Sequence, residues 1–432
     1  MAFSAKALSQ KPFSSFPLGA PLRLLVYEHL SGGGFAEKPF APSMLSEGFG
    51  MLRSIISDFR GAGHSATTLL DSRLAELEPP LEAERVISVS SLKEAEEAMK
   101  NVADSVDAAY IIAPESNGIL EYVVACLESG GVPTLNSSAI GIRSVSDKAT
   151  LNEHLKRIGL PTPKSLGLNV GDDAGDIAQI VNERIGFPAV FKPACEVGMA
   201  GLSVVRDELE IAGAVAKIIR ESSNKCFLAQ ELVHGVPASV SLISAGDDVA
   251  AVSLNRQNVT LAPPDSASSY DGGLVPIEDP MKAEALATAK LVIAQFPGLR
   301  GYMGVDFVLT ADGPFVIEVN PRLTTSYIGI REIARFNPAQ AMIDAVFQGK
   351  LTTDEGTATC ACFSKTKTPK PSMHAFRETF KMKEVISPPF PISSDGSAWA
   401  LLASRGSTAE EAESRLQEAQ NRLVNAVRFG GC

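Results

Sequence analysis

The 432 residues are 45% hydrophobic and 6% aromatic, and 39 Lys and Arg stand against 50 Asp and Glu, a formal net charge of −11. That much apolar chain is enough for the cores of two or three domains, and the acidic balance argues against nucleic acid as a main partner. No apolar run reaches the ~18 to 20 residues of a membrane helix, and six cysteines without disulfide or zinc spacing point to a reducing cytoplasm and away from a membrane.

The chain opens with a stretch free of acidic residues. It has neither the apolar centre of a secretory signal nor the arginines of a transit peptide, so residues 1–20 are expected to form a disordered leader. Residues 22–29 read as a strand running into Ser31-Gly32-Gly33-Gly34, followed by a helix from Glu47 through Arg60 and further strands at 63–71 and 108–115. Strands alternating with helices predict a parallel α/β sheet over residues 21–140. Ligands of such sheets sit at the carboxyl ends of strands, which makes Glu28 and Glu115 candidates for substrate binding. For Glu115, at a strand end after Pro114, an exposed loop carboxylate is the commoner case. His29 and His64 read as surface or hydrogen-bonded histidines, and the glycine run lacks dinucleotide-fingerprint spacing.

Next, Asp147-Lys148 opens a helical run over 149–158 that stops at Gly159-Leu160-Pro161, where Gly and Pro end helices. A short apolar strand then ends at Lys192, and Glu196-Val197-Gly198-Met199-Ala200-Gly201 forms a small-residue turn whose backbone could approach a phosphate. One such lysine is usually a solvated charge; two of them upstream of a carboxylate cluster suggest a polyanion. Asn255-Arg256-Gln257-Asn258 closes the apolar run 249–254. Arg256 there suits either an acidic ligand or a structural ion pair.

The most informative stretch follows. Residues 304–309, a turn at 310–313 and residues 315–322 read as two strands of a hairpin. Alternation sends Asp306, Glu318 and Asn320 to one face. Two carboxylates and an amide are hard oxygen ligands of the kind magnesium shares with substrate phosphates, with manganese as a substitute. Arg322, on the same side, could hold a phosphate or a transferring phosphoryl group. Beyond this, residues 357–432 read as a smaller α+β extension, with strands near 359–365 and 398–403 and a last helix opened by Ser407-Thr408 and two glutamates. It is expected to pack against the core or a second subunit.

Taken in order, Lys148, Lys192 with its glycine-rich loop, Phe227 to Val233, Asp306 and Glu318-x-Asn320-x-Arg322 resemble the nucleotide site of the ATP-grasp superfamily, over about residues 140 to 350. The resemblance implies α/β and α+β architecture: an N-terminal parallel-sheet pre-ATP-grasp domain, an ATP-grasp domain of two subdomains at 141–350, and the C-terminal piece. It implies ATP and magnesium as cofactors. Lys148 and Lys192 would contact phosphates, and Gln230, Glu231, Leu232 and Val233 would form the hinge that reads adenine. Asp306, Glu318 and Asn320 would hold the metal, and Lys192 and Arg322 would be catalytic. One departure stands out: Ala238 occupies the position where many members bind ribose with an acid, leaving Glu231 as the substitute.

The combination Tyr-Glu-x-x-Ser-Gly-Gly-Gly, Glu-Gly-x-x-Met-Leu, Leu-Leu-Asp, Ala-Pro-Glu-x-Asn and Asn-Pro-Arg-Leu-Thr-Thr-Ser-Tyr further resembles the tyramine–L-glutamate ligases of methanofuran biosynthesis. That resemblance implies a carboxylate-amine ligase joining the γ-carboxyl of L-glutamate to an aromatic amine, tyramine or a relative such as tyrosine. It leaves room for a homo-oligomer. Another ATP-grasp amino-acid or peptide ligase is the neighbouring alternative, and a non-catalytic ATP-binding regulatory or scaffold protein is the alternative of a different class.

Overall fold

The structure is a computed structural model that describes residues 19–352, 359–393 and 395–429. All but the last two residues of the expected leader lie outside the described residues. The first sheet is parallel, in the order β3-β2-β1-β4, from β1 (Arg23–Glu28), β2 (Ser65–Asp71), β3 (Arg85–Val89) and β4 (Ala108–Ile112). Alternation along β1 divides its side chains between two cores. Leu25 and Tyr27 pack with Met99, Val102, Leu120 and Val124 of the helices Leu92–Val102 and Ile119–Ser129. Leu24 and Val26 pack with Ile55, Ile56 and Phe59 of the helix Pro42–Gly61. That helix starts five residues before the expected Glu47, because Pro42 sits at its first position, where a fixed φ and a missing N–H cost nothing.

The second sheet is small and antiparallel, in the order β5-β8-β6-β7, from β5 (Ser165–Asn169), β6 (Ala189–Pro193), β7 (Ser203–Val205) and β8 (Cys226–Glu231). The helices Ala174–Arg184 and Ile211–Glu221 cover one face through Ile177, Val181, Ala214 and Ile218. Its other face looks onto the cleft described below.

The third sheet has eight strands in the order β13-β12-β9-β10-β11-β14-β16-β15, with every neighbouring pair antiparallel. They are β9 (Val236–Ser244), β10 (Val249–Thr260), β11 (Ser269–Val275), β12 (Gly301–Thr310), β13 (Gly313–Asn320), β14 (Cys360–Pro369), β15 (Val385–Ser387) and β16 (Ser397–Gly406). The C-terminal stretch therefore continues the central sheet through β14, β16 and β15. One buried cluster joins Leu24 and Ile55 from the N-terminal layer to Tyr327, Met342, Phe363 and Leu401, so the first and third sheets share a core.

Candidate active site

A cleft of about 700 Å³ opens between the small sheet and the third sheet. Its floor is the β12–β13 hairpin, where Asp306 lies directly opposite Glu318. Asn320 Nδ2 donates to Asp306 Oδ2 at 3.1 Å, and Gln257 Nε2 on β10 donates to Asp306 Oδ1 at 3.0 Å. Burial and the neighbouring Glu318 push the Asp306 carboxyl up to about 7. Burial would also raise Glu318, but Lys148 and Lys192 outweigh it and hold that carboxylate below its ordinary range. This donor set fits a divalent cation, because a cation between the two carboxylates would offset both the burial and the mutual repulsion that raise Asp306. Among the described residues no group of three or more His, Cys, Asp and Glu converges. Asp306, Glu318 and Asn320 would thus hold magnesium with phosphate and water oxygens completing its shell.

The cations come from the opposite wall. Asp147 caps the helix Lys148–Arg157 by accepting from Thr150 N at 2.8 Å, which fixes Lys148 at the first helical position. Lys148 Nζ lies 3.1 Å from Glu318 Oε2 and donates to the carbonyl of Glu196 at 2.7 Å. Lys192, on β6, is 5% exposed. Burial lowers its ammonium to about 8, with Lys148 adding to the effect and Glu318 opposing it. Beside it the glycine-rich loop passes through the left-handed region at Gly198, Met199 and Gly201. At Gly201 an added Cβ would come within 2.9 Å of the Pro193 ring, so the loop folds tightly onto the strand that carries Lys192.

The hinge segment lines the same cleft. Gln230 is buried on β8 and its amide donates to Ser165 Oγ at 2.8 Å. The Glu231 amide donates to the Lys164 carbonyl at 2.8 Å. Leu232 and Val233 follow the end of β8, and with Val190 and Ile317 they give this end of the cleft apolar walls. Ala238 is fully buried within β9 and offers nothing to a ribose, whereas Glu231 lines the cleft.

Arg322 reaches the cleft from just beyond β13. Its Nε lies 3.0 Å from the carboxylate of Glu115, at the end of the N-terminal sheet, and a second donor meets the Leu323 carbonyl at 3.1 Å. Burial opposes its charge, yet Glu115 more than compensates and strengthens it. Glu115 thus positions an arginine.

Two expectations are corrected. Glu28 does not present its carboxylate to a ligand: one oxygen accepts from Leu30 N at 3.0 Å and the other from Ser31 N at 2.7 Å and Ser31 Oγ at 2.6 Å. It anchors the turn Leu30–Gly34, and burial raises its pKa. In that turn Gly34 packs against His29, whose ring lies 2.3 Å from where a Cβ would stand. Arg256 points away from the cleft and pairs with Glu413 of the last helix at 2.5 Å. Its neighbour Gln257 is the one that reaches Asp306, as a two-residue strand period requires.

Sequence reasoning also missed a group at the far end of the cleft. Glu47, Tyr270, Thr325 and Lys365 line it together. Lys365 Nζ lies 2.6 Å from Glu47 Oε1 and 5.7 Å from the centre of the Tyr270 ring, and Thr325 Oγ1 donates to Glu47 Oε2 at 2.9 Å. Glu47 and Thr325 stood within quoted motifs. Lys365 carried no local signal, since only the pairing of β14 with β11 brings it here.

A family model described as an ATP-grasp domain matches residues 145–326, and one described as a pre ATP-grasp 3 domain matches residues 64–142. A tyramine–L-glutamate ligase of Methanocaldococcus fervens is 26% identical over 314 residues, covering 71% of this chain and 89% of that protein. The L-amino acid ligase of Bacillus licheniformis superposes with a TM-score of 0.61 at 16% identity, covering 93% of this chain and 97% of the other. The biotin carboxylase domain of Hydrogenobacter thermophilus 2-oxoglutarate carboxylase, solved with MgADP, ADP and bicarbonate, superposes with a TM-score of 0.67 at 13% identity, covering 94% and 93%. A pre ATP-grasp domain at residues 64–142 is thus followed by an ATP-grasp domain at 145–326, and the chain has the ATP-grasp fold.

Proposed function

We propose that this chain is an ATP-dependent, ADP-forming carboxylate-amine ligase, most specifically one that joins the γ-carboxyl of L-glutamate to tyramine or a related aromatic amine such as tyrosine, as in methanofuran-type cofactor biosynthesis. The observation that carries the reading is the convergence of Asp306, Glu318 and Asn320 with Lys148, Lys192 and Arg322 in one cleft. The similarity to a tyramine–L-glutamate ligase supports the substrate pair. Free cysteines and reliance on ATP suit a cytoplasmic reaction.

A carboxylate is a poor acyl donor because oxide would have to leave. In the first step a carboxylate oxygen of the acid attacks the γ-phosphorus of ATP; the bond to the β–γ bridging oxygen breaks and ADP departs. Lys148, Lys192 and Arg322 balance charge on the transferring group, and positioning with electrostatics does most of the work in such transfers. Magnesium, when bound, would neutralise phosphate charge beside Asp306 and Glu318. In the second step the amine nitrogen attacks the acyl carbon, the bond to the phosphate oxygen breaks, and the nitrogen loses a proton, leaving an amide and inorganic phosphate. The small sheet carrying Lys192 shields the acyl phosphate from water.

The test is ADP release by the purified protein with ATP, magnesium and L-glutamate across a panel of amines, with mass spectrometry of the products. Amine-dependent release with a glutamyl-tyramine or glutamyl-tyrosine product is expected. A product from another acid or amine would replace the substrate pair while keeping the ligase chemistry. Bound nucleotide without turnover across the panel would overturn the enzymatic reading in favour of a non-catalytic role.

A further inference from the structure

We propose that Glu47 and Lys365 form a subsite that reads the α-ammonium and α-carboxylate of the acid substrate, which selects an amino acid activated at its side-chain carboxylate. This rests on the ligase reading above and adds to it the groups that recognise the acid substrate. The two residues lie 318 positions apart, on the helix Pro42–Gly61 and on β14, and meet at 2.6 Å in the cleft that holds the phosphate-facing lysines. Their side chains are 18% and 10% exposed.

A pair this withdrawn from water is an expensive fastener, since desolvation offsets much of its attraction. The same helix is already fastened to the third sheet and its helices by other means. Asp58 accepts from Tyr327 at 2.7 Å and pairs with Arg331 at 2.7 Å, Arg53 donates to the carbonyls of Val385 and Ile386, and Ile55, Ile56 and Phe59 are part of the shared core. Docking the helix does not call for Glu47 and Lys365.

Adjacent opposite charges at the wall of a cleft are complementary to a zwitterion. An α-amino acid can exchange partners with the pair, its carboxylate going to Lys365 and its ammonium to Glu47, with no charge left unmatched. Thr325 ties Glu47 to the segment that begins at Arg322, three residues upstream. A side-chain carboxylate extending from an α-carbon held at the pair is thereby directed along this segment toward Arg322 and the phosphate end. A simple dicarboxylic acid lacks the ammonium, and an ω-amino acid lacks the α-carboxylate. Both forfeit one half of the exchange.

The experiment measures L-glutamate, glutarate and 4-aminobutyrate binding by calorimetry with a non-hydrolysable ATP analogue and magnesium, on wild type, Lys365→Met and Glu47→Gln, with thermal melts alongside. Wild type should prefer L-glutamate to either analogue by roughly 10- to 100-fold, the scale of one charged hydrogen bond. Lys365→Met should remove the preference over 4-aminobutyrate while keeping that over glutarate, because glutarate weakens in step with L-glutamate and 4-aminobutyrate is unaffected. Glu47→Gln should do the reverse, weakening 4-aminobutyrate with L-glutamate and leaving glutarate unchanged. A merely structural pair would lower stability without this crossed pattern. Equal loss toward all three acids, or unchanged selectivity, overturns the subsite. Absence of binding by the ATP analogue to wild type would instead overturn the ligase reading on which it rests.

Discussion

Replacing Lys192 by methionine should make the nucleotide-free protein more stable and a worse binder of ATP. The buried ammonium is lowered from 10.5 to about 8, so at neutral pH the folded state holds a proton it binds more weakly than the unfolded chain does. The cost is roughly 3 kcal/mol. Methionine has a similar shape, removes the charge, and packs where Lys192 is 5% exposed. At an unfolding entropy of about 2 cal/mol/K per residue, a chain of this length should gain roughly 3 °C in melting temperature. The sign with pH is fixed. Below about 8 both states of the wild-type lysine are charged and the penalty is complete; between 8 and 10.5 only the unfolded state keeps its proton, and the advantage of the variant shrinks to nothing. Nucleotide affinity should fall by about 10- to 100-fold at pH 7, the loss of one charge-assisted contact to phosphate. Thermal melts at pH 7 and pH 10, with calorimetric ATP binding, check both parts. A variant less stable than wild type at pH 7, or a gain that persists undiminished at pH 10, would refute the reasoning.

Wild-type ATP affinity should decline as pH rises through about 8, where Lys192 loses its proton, and Lys192→Met should flatten that decline in a binding titration. Glu318→Gln should reduce ADP release by at least about 100-fold while the protein stays folded by circular dichroism, since it removes a carboxylate beside the phosphates; near-normal release would remove Glu318 from metal binding. Glu115→Gln should cut kcat by about 10- to 100-fold with little change in the ATP KM, because it loosens Arg322 without touching the hinge. Arg256→Ala should leave both substrate KM values unchanged and shift stability by less than about 1 kcal/mol, as expected for its 39% exposed pair with Glu413; a selective rise in the KM for the acid would return Arg256 to the site.

How much of this was legible along the chain depended on the range of the interaction. Asp306, Glu318 and Asn320 could be grouped because a tight turn and a two-residue period fix which side chains share a face, and the structure sets Asp306 opposite Glu318. Lys148 was legible from its capping Asp147 and the glycine and proline that end its helix. Of the two readings open for Arg256 the structure takes the ion pair, with Glu413, while its neighbour Gln257 faces Asp306; which of two adjacent polar residues turns inward depends on the strands paired alongside. Glu28 stood at the right end of the right strand, but its proximity to the amides of Leu30 and Ser31 depends on how the following turn closes. The partnership of Glu47 and Lys365 spans most of the chain and left no local trace.

The strand order of the third sheet makes the C-terminal strands β14, β15 and β16 part of the fabric. Residues Gly272 to Val275 of β11 pair with Ala361 to Ser364 of β14. A chain ending before Cys360 would bare this row of backbone donors and acceptors as a flat sheet edge, inviting another copy to zip onto it. It would also uncover Tyr327 and Ile330, which share their cluster with Phe363 and Leu401. Engineering that treats the ATP-grasp segment as a transplantable module would therefore produce a sticky fragment, and variation in the C-terminal strands can retune the cleft without touching a single residue of the nucleotide motif.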